Sequence, residues 1–239
     1  MKKGLQLAAI IATGILSTVG TISAQKGIQI GVEGTPHLSW MVNKDDQNNT
    51  NFEYINTTMG SFGIRGQYGI TENVGIGINV VYSFQGQRYK LNKVERIKNV
   101  EYLKIPVMFA YNYNINNEFS FFGKIGPQID LLTNACMANE DGDKIISNHK
   151  DAYEDFVISG LAITGLGYKL TENLSIDASV RIDYGFTDAE EKDYNLNINI
   201  PNTNGNSGNG SSTKNNRAIT NNLTTGLTFG LNYIFPANE

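Results

Sequence analysis

The sequence predicts an all-β chain, an eight-stranded antiparallel up-and-down transmembrane β-barrel, and three observations carry that expectation. Apolar and polar residues alternate with a period of two over stretches of a dozen positions, Gly occupies 25 of the 239 positions, and the connections between alternating stretches are short and long in turn. The length of the stretches matters most. Soluble strands run about five or six residues, whereas a tilted strand crossing a bilayer needs roughly 9 to 11.

Residues 1–24 read as a secretory signal peptide: Lys2 and Lys3 precede an uncharged run from Leu5 to Gly20, and small residues follow at Thr21, Ser23 and Ala24. Cleavage is expected after Ser23 or Ala24, with no Cys behind it to carry a lipid. The barrel is then residues 25–239. Beyond the signal no stretch approaches the roughly 18 consecutive apolar residues of a spanning helix.

The strands are expected near 27–41, 58–70, 74–89, 100–113, 118–132, 156–170, 174–187 and 217–235. In the third, Val74, Ile76, Ile78, Val80, Tyr82 and Phe84 face away from Gly75, Gly77, Asn79, Val81, Ser83 and Gln85. The seventh is similar, with Leu174, Ile176, Ala178, Val180, Ile182, Tyr184 and Phe186 opposite Ser175, Asp177, Ser179, Arg181 and Asp183. One face suits lipid and the other carries charge. In the sixth strand the presumed lumenal side instead carries Val157, Leu161 and Ile163, which predicts an apolar patch inside the barrel.

Tight turns are expected at Thr71-Glu72-Asn73, Asn114 to Asn117 and Thr171-Glu172-Asn173, and loops near 42–57, 90–99, 133–155 and 188–216. Short turns on one rim, long loops on the other and an even strand count are the layout of an outer-membrane barrel, with the turns and both termini in the periplasm. An internal echo supports the register: Tyr68 to Ile76 (YGITENVGI) is matched by Tyr168 to Ile176 (YKLTENLSI). Tyr68 and Tyr168, with Tyr111, Tyr113, Phe119, Phe121, Tyr233 and Phe235, form the expected aromatic girdle at the periplasmic interface. Trp40, Tyr82, Phe84, Tyr184 and Phe186 are its counterpart at the outer interface. Gln87, near the outer rim, is expected to tolerate a charge.

The segment Tyr102-Leu103-Lys104-Ile105-Pro106-Val107 through Tyr111-Asn112-Tyr113, followed by Phe121 to Pro127 and Gly165-Leu166-Gly167-Tyr168, resembles the PorT-like outer-membrane β-barrel proteins of Bacteroidetes. The resemblance covers most of the mature chain and implies fold and location more than activity. Its founding member is linked to secretion of proteinases, and most of its relatives are known only as porin-like barrels. The chain departs from many outer-membrane barrels at its end, where Phe235 is followed by Pro236-Ala237-Asn238-Glu239.

Strand parity sends Glu33, Arg65, Lys104, Lys124, Asp130, Asp177, Arg181 and Asp183 into the lumen, where the signs balance. An eight-stranded barrel is just wide enough to be filled by side chains, and buried charges persist when paired. The expectation is a plug sealed by ion pairs between neighbouring strands, with a selective polar pathway as the alternative. His37 and Ser39 share the lumenal face and have the residue types of acyl hydrolysis, but no acid at local spacing completes a triad. A hydrolase acting on membrane lipid would also need them to face outward.

Other chemistries find little support. A single Cys136 and two His leave no thiolate or imidazole cage for zinc, and Cys136 reads as a free thiol. Asn139-Glu140-Asp141-Gly142-Asp143 begins like a calcium loop, but the pattern fails at Lys144 and Lys150. A net charge of −4 and a pI near 5.3 supply no phosphate-seeking face, so no nucleic acid is expected. Residues 202–216 are Gly-, Ser- and Asn-rich and read as a surface loop, while the alternation from Asn195 to Ile200 suggests a continuation of the seventh strand. The expected protein is non-catalytic and needs no metal or cofactor. Its partners are outer-membrane lipid and proteins met at the loops or turns, in a structural role or as an accessory to secretion or transport. A narrow porin is the alternative.

Overall fold

A computed structural model describes residues 27–48, 52–91, 94–191 and 218–236. The proposed signal peptide, residues 195–200 and the 202–216 run lie outside the described residues. The strands in chain order are β1 (Gly27–Asn43), β2 (Phe52–Ile55), β3 (Thr57–Gly69), β4 (Val74–Leu91), β5 (Val94–Asn114), β6 (Phe119–Ala138), β7 (Lys144–Ile146), β8 (Phe156–Lys169), β9 (Leu174–Gly185) and β10 (Thr220–Pro236). A four-residue helix α1 (Lys44–Gln47) follows β1. Antiparallel pairing runs β1-β3-β4-β5-β6-β8-β9-β10, and β10 pairs with β1, so eight strands close a ring. Closure satisfies every ladder without leaving an edge in the hydrocarbon.

The short turns show why Thr-Glu-Asn occurs twice. Thr71 Oγ1 accepts from the amides of Asn73 and Val74 at 3.3 and 3.1 Å, and Thr171 Oγ1 accepts from those of Asn173 and Leu174 at 3.4 and 3.1 Å. The Asn then stitches the turn to the next hairpin: Asn73 Nδ2 donates to Asn112 O at 2.8 Å, and Asn173 Nδ2 to Ile234 O at 2.9 Å. In the third turn Asn116 Oδ1 accepts from the amides of Glu118 and Phe119.

The exterior is apolar over most of the height. Ile28, Ile30, Ile64, Ile78, Phe109, Ile125, Leu166, Ile182 and Phe229 are each exposed, a pattern that only a lipid surround makes favourable. Tyr68, Tyr113, Tyr233, Phe235 and Phe119 are exposed near the short-turn end, and Tyr111 and Tyr168 are half-buried beside them. Phe119 stacks obliquely on Tyr168 and Tyr233 meets Phe235 edge-on, each pair with centroids 4.8 Å apart. Toward the other end Tyr82 packs against Phe62 and Phe84, and its hydroxyl donates to Glu101, an outward carboxylate.

The long-loop end differs from expectation. Residues 90–91 and 94–99 are strand and not loop: β4 runs to Leu91, β5 starts at Val94, and Leu91 pairs with Val94. β4, β5 and β6 have 18, 21 and 20 residues, well beyond a single crossing, and β2 and β7 pair with their extensions. Charges at Arg88, Lys90, Glu95 and Arg96 obscure this in the sequence because, outside the hydrocarbon, a strand has no lipid face to display. Gln87 is likewise corrected. It is 1% exposed, and its Nε2 donates to Ile55 O at 3.0 Å and to Arg88 O at 2.6 Å, so it is a tie inside the extension and not a tolerant rim position.

Candidate functional site: the filled lumen

All eight charges assigned to the lumen point inward, but most of their pairs do not join neighbouring strands as expected. Arg181 is the hub: its Nε donates to both oxygens of Asp183 at 3.0 and 3.1 Å, its Nη1 to Glu33 Oε1 at 3.1 Å, and its Nη2 to Gln128 Oε1 at 2.9 Å. Lys104 Nζ and Thr224 Oγ1 both donate to Asp183 Oδ2, at 3.2 and 2.9 Å. Asn79 Nδ2 donates to Glu33 Oε2 at 3.1 Å. Arg65 reaches Asp177, with Nη1 to Oδ1 at 3.3 Å and Nη2 to Oδ2 at 2.8 Å, and Asn232 Nδ2 donates to the same Oδ2 at 2.8 Å.

Arg65 Nε also lies 3.9 Å from Glu33 Oε2 on the adjacent strand β1, as expected; apart from that pair and Arg181 with Asp183, which share β9, these ion pairs cross the lumen. Arg181 to Glu33, Lys104 to Asp183 and Arg65 to Asp177 each join strands that are not adjacent in the ring. The reason lies in what flanks β9. On β8, Ile163 stands opposite Arg181 and Leu161 opposite Asp183; on β10, Gly226 stands opposite Arg181 and Gly230 opposite Asp177. Neither neighbour offers a charge there, and Gly230 leaves room for the Arg65 side chain arriving from β3. A Cβ at Gly230 would lie 1.1 Å from Arg65 Nη2.

Two charges stay outside the ion pairs. Asp130 is 2% exposed and is held by Gln128 Nε2 at 2.7 Å and Ser159 Oγ at 3.0 Å, with no cation within ion-pair distance among the described residues. Lys124 lies over the Phe122 ring, 5.2 Å from its centroid, and has no ion pair among the described residues.

The irregular face of β8 supplies the apolar filling. Leu161 and Ile163 pack with Met108 and Phe122, and Val157 joins Met41, Val100, Tyr102, Leu132, Ala135, Ala152, Tyr153 and Ala189 toward the long-loop end. There the segment before β8 folds inward. His149 N donates to Ala135 O at 2.9 Å, Glu154 N to Ala189 O at 3.2 Å, and Glu191 N to Ala152 O at 3.0 Å. Lys98 pairs with Glu190, which also accepts from Thr220 Oγ1 at 2.8 Å. The result is a cap seated in the barrel mouth.

At the short-turn end the lumen opens as a cup of about 290 Å³, with Lys124, Asp177, Asn232, Gln29, Gln67 and Ser120 among its walls. His37 and Ser39 sit apart from it. His37 Nδ1 lies 3.1 Å from Thr35 O and Nε2 2.9 Å from Phe84 O, while Ser39 Oγ donates to Gly86 O and accepts from Gly86 N, both at 3.0 Å. Both ring nitrogens face backbone carbonyls and Ser39 Oγ is tied to the Gly86 backbone, so the two side chains are not hydrogen-bonded to each other as acyl transfer requires. The acidic stretch at 139–143 is a tight turn in which Asn139 Oδ1 accepts from Asp143 N at 2.8 Å and Gly142 takes φ +89°. Cys136 is a buried free thiol near Asn99 Nδ2. Parity found the charges; it equally marks Asn79, Gln128, Ser159, Thr224 and Asn232, which charge-based reading passed over. The cap has no such signal, since Tyr153 and Ala189 come from separate polar connections.

A closed ring of eight strands, apolar outside and filled with paired charges inside, defines a transmembrane β-barrel. The chain belongs to the outer membrane protein beta-barrel domain family, which it matches over residues 23–191, and that locates the barrel in an outer membrane. Among solved structures it is similar to Neisserial surface protein A (NspA), at 12% identity and a TM-score of 0.50, covering 89% of this chain and 100% of that one. OprG from Pseudomonas aeruginosa gives 11% identity, a TM-score of 0.47 and coverage of 90% and 99%. Ail, the attachment invasion locus protein of Yersinia pestis, gives 13%, 0.42, and 87% and 99%. At such identities the likeness to NspA is one of fold. No curated protein matches the chain in sequence.

Proposed function

We propose that this is an exported, non-catalytic barrel of a Gram-negative outer membrane, freed of its signal peptide, that acts structurally or assists secretion or transport through its long-loop rim. The observation that carries this reading is the filled lumen, in which crossing ion pairs and a docked cap occupy the space a solute would need. With no route through the middle, the protein's working surfaces are its rims. The long-loop rim is the larger, because β4, β5 and β6 raise it beyond the hydrocarbon, and the resemblance to PorT-like barrels favours a secretion role there. In this orientation the Thr-Glu-Asn turns face the periplasm.

A narrow porin is the second reading, and the cup at the short-turn end is what favours it. Replacing residues 192–217 with a short turn separates the two. An accessory to secretion loses export of surface proteins while the barrel still assembles and small-sugar uptake is unchanged; a porin keeps export, and deleting the whole protein slows uptake.

A further inference from the structure

We propose that the cup at the short-turn end is a binding site for a small carboxylate that also carries hydroxyl groups. Three observations converge there. Lys124 on β6 lines the cup with its ammonium over the Phe122 ring and no anion in ion-pair range among the described residues, although every other lumenal cation has one. On the opposite wall, Gln67 Oε1 on β3 and Asn232 Oδ1 on β10 are buried acceptors without a donor, and Asn232 is 3% exposed. The enclosed volume, about 290 Å³, suits a molecule of sugar-acid size.

The chemistry of the ligand follows from this arrangement. An unpaired ammonium in a partly enclosed site favours an anion, and its partial desolvation strengthens a charge-assisted contact. Unsatisfied acceptors ask for donors, which hydroxyls supply and a bare carboxylate does not. Asp177 does not neutralise the site: Arg65 and Asn232 already hold its oxygens. The ion pairs beyond Arg65 close the inner end, so the cup receives and releases its ligand on one side only.

The test uses the full mature protein folded in detergent micelles, with gluconate as probe. Titration calorimetry should give saturable gluconate binding, with glucose, which lacks the carboxylate, and acetate, which lacks the hydroxyls, each at least about tenfold weaker. Lys124→Gln should weaken gluconate at least about tenfold, while Lys124→Arg retains binding and Lys144→Gln at the opposite, long-loop end leaves it unchanged. Should Lys124→Gln fail to fold, NMR of the wild-type protein with labelled lysine decides: the Lys124 side-chain resonances should shift on adding gluconate and stay in place with glucose. No saturable gluconate binding, binding insensitive to Lys124→Gln in a folded variant, or an unmoved Lys124 signal would overturn the proposal.

Discussion

Arg181 shows how much one side chain can hold. It bridges two carboxylates and a glutamine amide while 3% exposed, so Arg181→Ala leaves Glu33 and Asp183 desolvated with fewer donors. Loss of one member of a buried pair costs about 3 to 5 kcal/mol, and the urea midpoint of the refolded barrel should fall accordingly, whereas Lys144→Ala on the exposed rim should leave it in place. Gly230→Ala tests the crossing geometry itself. A single methyl would occupy the position of Arg65 Nη2, and since that guanidinium is buried and paired, we expect a loss of at least about 1 to 3 kcal/mol despite the better β-propensity of Ala. His149 supplies a pH handle outside the membrane. Burial, and then the Lys98 ammonium, hold its imidazole below the ordinary value, so the docked cap resists the proton that an undocked loop accepts. Docking is therefore strongest above about pH 6.5 and weakens as pH falls through the depressed value. Proteolysis within 147–155 should be faster at mildly acidic pH, and His149→Phe should remove that dependence.

At the scale of elements, the membrane-crossing strands are legible because their two environments alternate residue by residue. Ile78 on β4 is 53% exposed, toward lipid, and Ile78→Arg should cost roughly 2 to 4 kcal/mol in refolding titrations into vesicles. Legibility fails where that alternation loses its cause. Lys90 and Glu95 belong to a hairpin that continues β4 and β5, yet their polar neighbours read as loop. The cup shows the same limit: Lys124 is visible as a lumenal cation, but its lack of an anion among the described residues depends on which acids the crossing arginines capture. Gly226 and Gly230 hint at close approach within β10, though the sequence does not say that the β1 backbone at Pro36 and His37 approaches the first and Arg65 the second.

For the whole molecule, ring closure, crossing ion pairs and a seated cap describe one object, a barrel held in lipid by its exterior and shut by its interior. Its exterior predicts that extraction needs detergent and that the unheated protein migrates differently from the boiled one on gels; recovery as a soluble monomer would remove the lipid-facing assignment. The interior is tested by current. In planar bilayers the purified wild-type protein should show no sustained ion conductance, since a continuous water column would require Arg181 to leave Glu33 and Arg65 to leave Asp177. A reproducible open channel that tracks the protein through purification would contradict the sealed lumen.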